Sequence, residues 1–416
     1  MRRKKPCNAI LLGLALALPA YAGVAGSIDK QDFSQVERGR YLATVGDCAS
    51  CHTRPGSGLD YAGGRPLETP FGMIISPNIT PEPQTGIGAW TDDEFVNALT
   101  QGTGRNGTRL YPAMPFNYYT RVTRDDAIAI RAYLNTVLPV YNPVTPNQLP
   151  FPFNIRTSMS VWDAIFMKPG PFEPVAGKTA EWNRGAYLAE GLAHCGACHT
   201  PKNFLGGDKT SERLQGYALQ GWFAPNITND PHRGLGSWSV EDITEYLETG
   251  HNKVSASTGL MSETVSMSTA HMNDDDLRAI AIYLKDQPQP QQQTASSNVD
   301  QSAIKRGAQI FADECSGCHT PTGKGVARMF PSLNGSPAVQ QIDATSLLRI
   351  VLRGARSVAT DGAPTAPAMP SFQWILKDDD VAAVLTYIRN SWGNSAPAIS
   401  ADEVAKARKA FGKRSD

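Results

Sequence analysis

Three copies of the pentapeptide Cys-x-x-Cys-His occupy positions 48–52, 195–199 and 315–319 of the 416-residue chain. In this pattern two thiols can add across the two vinyl groups of one haem, and the adjacent imidazole can bind the haem iron. The motifs therefore predict three covalently attached haem c groups. The attachment cysteines are Cys48, Cys51, Cys195, Cys198, Cys315 and Cys318, and the proximal iron ligands are His52, His199 and His319.

Two other interpretations of these cysteines are weaker. A structural zinc site needs four ligands, and each motif supplies three at an unsuitable spacing. A disulfide framework is common in exported chains, but it does not explain why histidine follows the second cysteine in every copy. The seventh cysteine, Cys7, lies in a segment expected to be removed. Haem attachment thus accounts for every cysteine of the mature chain.

Methionine is the expected sixth ligand, because a sulfur ligand on that side raises the reduction potential of an electron-transfer haem. Met114 and Met261 each lie 62 residues after the histidine of their motif, which favours Met261 over Met267 and Met272. Met369 lies 50 residues after the third motif and shares the tripeptide Ala-Met-Pro with Met114. The alternative is that these methionines only fill core space.

The ligand histidines also need an acceptor for their second ring nitrogen. Carbonyl groups of downstream prolines are the predicted acceptors, namely those of Pro77, Pro225 and Pro331. Candidate groups for the haem propionates are Trp90, Trp238, Arg105 and Arg109, although a tryptophan at the start of a helix is commonly a packing residue. The histidines outside the motifs are His194, His232, His251 and His271, for which structural or surface roles are expected.

Each motif lies between two predicted helices. An Arg-Gly pair at 38–39, 184–185 and 306–307 marks the helix before it, and helices with acidic starts are predicted after it, over 125–134, 274–284 and 378–388. The glycine should let the first helix pack closely on the last, whose aromatic residues are Tyr133, Tyr283 and Tyr387. Motif-bearing repeats one and two also share Asn-Ile-Thr and Gly-x-Gly-x-Trp segments, followed by amphipathic helices over 91–100 and 239–249.

The repeats predict an all-α chain of three tandem units, each wrapped around one haem. Unit one spans 33–138, unit two 179–286 and unit three 303–396. Between them lie an apolar connector at 139–178, expected to pack units one and two together, and a polar linker at 287–302. A charged C-terminal tail spans 397–416.

Residues 1–22 have the features of a secretory signal peptide, with basic residues at 2–5, an apolar run and the small-x-small sequence Ala20-Tyr21-Ala22. The apolar run is too short to span a bilayer. Export fits c-type haem, which bacteria attach outside the cytoplasm, and predicts a periplasmic protein. Removing the segment leaves 35 basic and 39 acidic residues, a net charge of −4. No basic patch remains that would favour a nucleic-acid partner.

A Gly-x-Gly-x-x-Gly pattern at 102–107 resembles a dinucleotide-binding loop, but it follows a predicted helix rather than a strand, and Tyr111-Pro112 blocks the helix that should receive the phosphates. We interpret it as a loop leading to Met114. The sequence contains no nucleophile–base set, metalloprotease helix or phosphate loop. The chain is therefore expected to carry electrons and to leave substrate chemistry to another protein.

The chain resembles the tri-haem cytochrome c subunits of bacterial membrane-bound dehydrogenases that oxidise alcohols, gluconate, sorbitol and fructose. The resemblance runs from about Phe33 to Trp392 and is carried by RGRYLATVGDCASCHT, LYPAMPF, WNRGAYLAEGLAHCGACHTPKNF, APNIT, GKGVARMFPSL and AMPSF. It implies three cytochrome c-type domains and an electron-transfer subunit. Such a subunit takes electrons from a catalytic subunit and passes them through its haems to ubiquinone at the outer face of the cytoplasmic membrane.

The resemblance leaves two types of catalytic partner. One is a flavoprotein of the glucose–methanol–choline type, containing FAD; the other is an alcohol dehydrogenase containing pyrroloquinoline quinone (PQQ). The segment LPFPFNIRTSMSVW and the following EWNRGAYLAEGLAHC favour the flavoprotein. Some family members end in a hydrophobic anchor, whereas this sequence ends in SADEVAKARKAFGKRSD, so that only peripheral membrane attachment is expected. A free tri-haem carrier and a haem enzyme with an open iron site are the remaining alternatives.

Overall fold

The computed structural model describes residues 1, 33–290 and 299–412. Apart from Met1, the predicted signal peptide lies outside these residues, as do positions 291–298 of the predicted linker. The described chain is mainly helical, with three antiparallel two-stranded hairpins. The prediction of an all-α class is therefore confirmed.

Unit one begins and ends with a long helix. Its elements are α1 (Phe33–Val45), α2 (Cys48–His52), β1 (Pro66–Thr69), β2 (Gly72–Ile75), α3 (Asp92–Gln101), α4 (Phe116–Tyr119) and α5 (Arg124–Leu134). Helix α3 begins with a capping box, in which Thr91 and Glu94 each accept a hydrogen bond from the backbone N–H of the other. The box satisfies two N–H groups that a helix start leaves without partners. The two helices for which bounds were predicted in this unit, 91–100 and 125–134, form within one residue of those bounds.

The connector contains α6 (Met159–Phe166), and unit two then repeats the order of unit one. Its elements are α7 (Ala180–Tyr187), α8 (Cys195–His199), β3 (Tyr217–Leu219), β4 (Trp222–Ala224), α9 (Val240–Thr249), α10 (Leu260–Met267) and α11 (Asp274–Lys285). A second capping box, between Ser239 and Asp242, begins α9. The main difference from unit one is α10, which has eight residues where α4 has four.

Unit three is built from α12 (Gln301–Ile310), α13 (Ser316–His319), α14 (Thr345–Arg353), β5 (Ala355–Arg356), β6 (Ala368–Met369) and α15 (Asp378–Arg389). Helix α16 (Ala401–Phe411) follows and packs on α14 and α15. Its Val404 and Phe411 are buried in the core of unit three. The segment 397–416, expected from its charge to be a tail, thus contains a helix that belongs to the body of unit three.

The first and last long helices of each unit cross at a glycine. A Cβ atom added to this glycine would stand only 1.8–2.2 Å from a backbone oxygen of the last helix, so that only hydrogen fits there. The contacts are Gly39 with Ala129, Gly185 with Ala279, and Gly307 with Ala383. The Cβ atoms of Tyr133, Tyr283 and Tyr387 lie beside the same glycines, at 2.6–3.0 Å from the added atom. The predicted close approach is therefore confirmed in all three units.

Gly185→Ala is expected to lower the free energy of unfolding by about 3 kcal/mol or more, because the new methyl group would lie 1.9 Å from the Ala279 oxygen and would force the helices apart. Denaturant unfolding of the haem-loaded protein measures the loss. Gly104→Ala is the matched control, since Gly104 has a negative φ and its nearest contact is a flexible Leu110 methyl at 3.4 Å. Equal midpoints for the two variants would contradict the prediction.

An arginine directly before each crossing glycine forms an ion pair with the third residue of the last helix. The pairs are Arg38–Asp126 at 2.5 Å, Arg184–Asp276 at 2.7 Å and Arg306–Asp380 at 2.6 Å. A carboxylate in the first turn also interacts favourably with the helix dipole. Each unit therefore closes in the same way, through one glycine contact and one ion pair. The Arg-Gly pairs recur in the sequence, but nothing in the sequence pattern indicates the ion-pair role of the arginines.

Units one and two are joined by two equivalent hydrogen bonds, in each of which a tyrosine of one unit donates to an aspartate of the other. Tyr41 donates its hydroxyl to Asp276 at 2.7 Å, and Tyr187, at the equivalent position of unit two, donates to Asp126 at 2.5 Å. The buried residues of the two units form one continuous core. Unit three has Gln309 at this position and a separate core. Units one and two therefore form a reciprocal pair that unit three does not join in the same way.

Asp276 makes the stability of this pair depend on pH. Burial raises the pKa of Asp276, but hydrogen bonds from Arg184 and Tyr41 outweigh burial and bring the pKa below its ordinary value. A carboxyl whose pKa is lower in the folded state stabilises the fold above its unfolded pKa of about 4 and loses this effect as pH falls through the folded pKa.

Asp276→Asn is therefore expected to cost about 2 kcal/mol at pH 7, a value reduced because Arg184 is partly exposed. The difference from the wild type should shrink as the pH falls below 4, where the wild-type carboxylate is itself protonated. Denaturant unfolding of both proteins at the two pH values measures this. A difference that does not change with pH would show that the charge of Asp276 has no role.

The connector packs on both neighbouring units. Its Trp162 donates the indole N–H to the carbonyl of Leu205 in unit two at 3.0 Å, and Asp163 pairs with Arg109 of unit one at 3.2 Å. The backbone of Gln148 also bonds to that of Met73. Segment 139–178 therefore fixes units one and two to each other.

Unit three docks on unit two. Ser346 of α14 accepts from the backbone N–H of Phe223 at 2.8 Å and donates to its carbonyl at 3.1 Å, which ties α14 to the β3–β4 hairpin. The buried His251 of unit two lies 2.9 Å from the hydroxyl of Ser357. Unit two thus contacts both other units and is the middle of the molecule. Among the described residues, no helix combines the length and the apolar character that crossing a bilayer requires.

Candidate haem-attachment sites

Each Cys-x-x-Cys-His motif forms a short helical turn. In units one and two the residue before the first cysteine is left-handed, with φ of 51° at Asp47 and 37° at His194. This reversal ends the preceding helix and lets a new turn begin at the cysteine. In unit three a π-helical turn, Phe311–Cys315, instead continues α12 into the motif. All three arrangements place two cysteines and a histidine on one short turn.

The motif histidines are held by the predicted proline carbonyls. The Nδ1–O distances are 2.8 Å for His52 and Pro77, 2.7 Å for His199 and Pro225, and 3.0 Å for His319 and Pro331. Since a carbonyl can only accept, Nδ1 must carry the proton, and the lone pair then lies on Nε2. Each imidazole is therefore oriented with Nε2 available to a metal, as a haem iron requires.

The charge state of these histidines also suits iron binding. Burial lowers the pKa of His52, His199 and His319, although the proline carbonyls oppose the shift. All three rings are therefore neutral near pH 7, which is the form that binds a metal.

The motif cysteines do not form disulfides in the described chain. Burial raises the pKa of Cys48 to about 12 and that of Cys195 to about 11, so that both are neutral thiols. In the described ranges, no group of three or more His, Cys, Asp or Glu residues is placed to hold a metal ion, as a structural zinc site would require. Neutral thiols on a turn with an oriented histidine fit thioether attachment of haem better than either alternative.

The predicted sixth ligands occupy different local settings. Met114 lies in a turn and Met369 in β6, and each is half-buried against the core of its own unit. Met261 is the second residue of α10 and is also half-buried. Met272, its rival, is buried in the shared core directly before α11, where unit one has the buried Val122 before α5. Packing accounts for Met272, so the preference for Met261 stands as a prediction.

Two of the histidines outside the motifs, His251 and His271, have other ring contacts. Both ring nitrogens of His251 are engaged, by the carbonyl of Thr249 at 3.0 Å and by Ser357. The ring of His271 contacts the carbonyl of Ser266 at 2.9 Å. These contacts support structural roles rather than iron binding.

The four candidate groups for the propionates also have protein partners. Arg109 pairs with Asp163, and Arg105 lies 3.6 Å from Glu94. Trp238 is buried and packs edge-to-face on Tyr246, while the partly buried Trp90 packs against the shared core. Structural contacts are therefore enough to explain these positions. The Gly-x-Gly-x-x-Gly segment at 102–107 follows α3 and leads towards Met114, as predicted.

One buried tyrosine brings the first two motifs together. Tyr119 donates its hydroxyl to the carbonyl of Gly46 at 3.0 Å, and its ring packs edge-to-face on His194 with centroids 5.4 Å apart. Gly46 and His194 lie within two residues of Cys48 and Cys195 respectively. This contact was not predicted, since nothing in the sequence pattern distinguishes Tyr119 from an ordinary core residue.

A family model described as cytochrome c matches residues 36–138, 183–288 and 304–392, one match in each unit. The gluconate 2-dehydrogenase cytochrome c subunit of Pantoea cypripedii is 39% identical over 96% of this chain and 95% of its own length. The cytochrome c subunit of alcohol dehydrogenase (quinone) from Gluconacetobacter polyoxogenes is 38% identical, covering 95% and 90% respectively. The fructose dehydrogenase cytochrome subunit of Gluconobacter japonicus is 36% identical, covering 90% and 82%.

The matches extend over all three units and agree with the geometry of the motif turns. Tandem cytochrome c domains imply covalent haem c and electron transfer. The chain therefore belongs to the cytochrome c family, among the cytochrome c subunits of bacterial membrane-bound dehydrogenases.

Proposed function

We propose that the chain carries three haem c groups, one in each unit, and serves as the electron-transfer subunit of a quinone-reducing dehydrogenase. The motif cysteines supply the thioether bonds. The axial pairs are His52 with Met114, His199 with Met261, and His319 with Met369. Each haem, when bound, supplies a one-electron iron couple whose potential the methionine sulfur raises.

The observation that carries the proposal is the hydrogen bond from each motif histidine to a proline carbonyl. In each of the three units, a proline carbonyl accepts from Nδ1 of the motif histidine at 2.7–3.0 Å. Burial lowers the pKa of each of these histidines and so favours the neutral ring. A structural role for the histidines would not require the same tautomer three times. The repeated orientation supports one iron ligand in each unit.

The packing of the units supports a relay in which unit two is central. Unit two shares a core with unit one and binds unit three through Ser346 and His251. Tyr119 also contacts the residues that lie just before the first two motifs, Gly46 and His194. We therefore expect electrons to enter at one outer unit and to leave at the other. Unit two, packed on both, would hold the haems of units one and three at a constant distance from its own haem.

The catalytic partner in this proposal is a flavoprotein of the glucose–methanol–choline type that oxidises a sugar, sugar acid or alcohol, and the final acceptor is ubiquinone. The names of the gluconate and fructose dehydrogenase relatives support a sugar or sugar-acid substrate for the complex. The segment 149–162 and the sequence before the second motif favour the flavoprotein over a PQQ protein. The proposed location is the periplasm, at the outer face of the cytoplasmic membrane.

Purification of the native complex from membranes tests the proposal. The affinity-tagged chain is isolated in mild detergent, its haems are counted by intact mass, and the cofactor of the co-purifying large subunit is identified. Three haems with an FAD protein that reduces a ubiquinone analogue through the complex support it. A PQQ protein moves the assignment to alcohol oxidation, and a haem-loaded chain without a partner favours a free tri-haem carrier. Carbon monoxide binding to the reduced protein would instead indicate an open iron site.

A further inference from the structure

Helix α10, which carries Met261 in unit two, lies against α2 of unit one. Glu263 of α10 and Arg65 of unit one form a two-pronged ion pair across this contact: Nη2 of Arg65 lies 2.9 Å from Oε2 of Glu263, and Nη1 contacts Oε1. The Arg65 side chain is 17% exposed and that of Glu263 is 29% exposed. A planar guanidinium that meets both carboxylate oxygens in a half-buried site fixes orientation as well as distance.

Arg65 is also attached to the first haem-attachment motif. Its Nη1 donates to the carbonyl of Ser50, the residue between Ala49 and Cys51 of the motif. One guanidinium therefore holds the motif turn of unit one with one contact and the Glu263 carboxylate with the others. Arg65 therefore links α10 to the motif turn of unit one.

A second contact anchors the far end of the same segment. Ser268, which directly follows α10, is fully buried and donates its hydroxyl to the carbonyl of Val45 at the end of α1, at 3.2 Å. Unit one thus holds α10 near its beginning through Arg65 and at its end through Ser268.

The other two predicted sixth ligands are held within their own units. The backbone N–H of Met114 bonds to Tyr111, and the carbonyl of Met114 accepts from Phe116, both in unit one. Met369 lies in β6 and pairs with Ala355 of the same unit. Met261 differs because the helix that carries it takes ion-pair and hydrogen-bond support from a neighbouring unit.

Helix geometry explains how α10 can contact unit one through Glu263 and also direct Met261 into unit two. Successive residues of an α-helix are about 100° apart around the axis, so Met261 and Glu263 point in directions about 200° apart. If Glu263 points towards unit one, Met261 points back into unit two. Holding Glu263 therefore sets the rotation of α10, and with it the direction of the methionine sulfur.

We propose that Arg65 of unit one is a positioning residue for the sixth ligand of the haem in unit two. The proposal rests on the assignment of Met261 under the proposed function. It means that the potential of the second haem depends on the docking of unit one. Unit two alone would then lack the support that keeps its methionine on the iron.

Two variants of the haem-loaded protein test the proposal, Arg65→Met and Glu263→Gln. Each breaks the ion pair while keeping a side chain of similar size. The readouts are the far-red absorption band that methionine sulfur gives with ferric haem and the three midpoint potentials. In both variants, the far-red band should lose the part contributed by one of the three haems, and one midpoint potential should fall. All three haems should remain attached. Arg65→Lys, which keeps the charge but not the fork, should restore part of the band.

Arg65→Met removes a positive charge and Glu263→Gln removes a negative one. The signs of the two potential shifts therefore distinguish loss of methionine positioning from a direct electrostatic effect on the haem. Losing a cation lowers a nearby haem potential and losing an anion raises it, whereas a displaced methionine lowers the potential in both variants. Shifts of opposite sign with an unchanged band would overturn the proposal. So would an equal loss of the band in Tyr187→Phe, which removes another bond between units one and two without touching α10.

Met261→Leu distinguishes failure of the proposal from failure of the ligand assignment. If Met261→Leu removes one band and lowers one potential while the Arg65 and Glu263 variants match the wild type, the ligand is correct and Arg65 has no positioning role. If Met261→Leu changes neither readout, Met261 is not the ligand, and the role of Arg65 falls with it.

Discussion

Replacement of Cys195 and Cys198 by alanine is expected to remove one haem and to unfold units one and two together. Cys195 packs against the core that these two units share, so loss of the haem in unit two opens a core to which unit one also contributes. The expected loss of stability exceeds about 4 kcal/mol, in the range reached only when a core element is removed. Intact mass gives the haem count, and thermal unfolding followed by circular dichroism gives the fraction of helix lost.

The matched control is the double replacement of Cys315 and Cys318 in unit three. Cys315 packs against a separate core, so this variant should also lose one haem but should leave the unfolding transition of units one and two in place. The two variants remove the same chemical groups and differ only in which core they open. If both lose the same fraction of helix, the three units fold independently, and the continuous core does not couple units one and two.

Local features of this chain could be predicted from its sequence. The motif turns, the last helix of each unit and the crossing glycines depend on residues that are close in sequence or recur in every unit. The proline acceptors could be predicted as well, because a ligand histidine needs a fixed Nδ1 and a proline follows each motif at a usable distance. The need of each ligand histidine for an acceptor, together with the recurrence of the pattern in three units, left few candidate residues.

The contacts between units could not be predicted in the same way. Tyr41 and Asp276 are 235 residues apart, and Arg65 and Glu263 are 198 residues apart. Such pairs depend on how the units dock, which no local pattern records. One signal was present: units one and two have tyrosine two residues after the crossing glycine, whereas unit three has Gln309. That difference separates the two units that pair from the one that does not.

The charged segment at 397–416 shows a different reason for a missed feature. Its many charges suggested a tail, yet Ser400 and Glu403 form a capping box, and Val404 and Phe411 are buried in the core of unit three. Two large apolar residues among alanines and charged residues give a weak sequence signal. The helix packs on α14 and α15, so that burial of Val404 and Phe411 against unit three can stabilise it.

Replacement of a sixth ligand is expected to give the largest change in redox behaviour. Met114→Leu or Met369→Leu should lower one midpoint potential by on the order of 100 mV, since axial ligation can move a haem potential over about 0.8 V. All three haems should remain attached, because the cysteines are unchanged. Potentiometric titration with optical detection measures the three potentials separately, and intact mass confirms the haem count.

Met272→Leu is the control for these variants, because Met272 is buried in the shared core and leucine has a similar volume. It should leave all three potentials unchanged and cost less than about 1.5 kcal/mol of stability. A lowered potential in Met272→Leu, with none in Met261→Leu, would transfer the ligand role in unit two to Met272. The equal spacing of 62 residues in units one and two would then reflect the repeat alone. The pair of variants therefore decides whether spacing between repeats identifies an iron ligand where the surrounding structure has changed, as it has from α4 to α10.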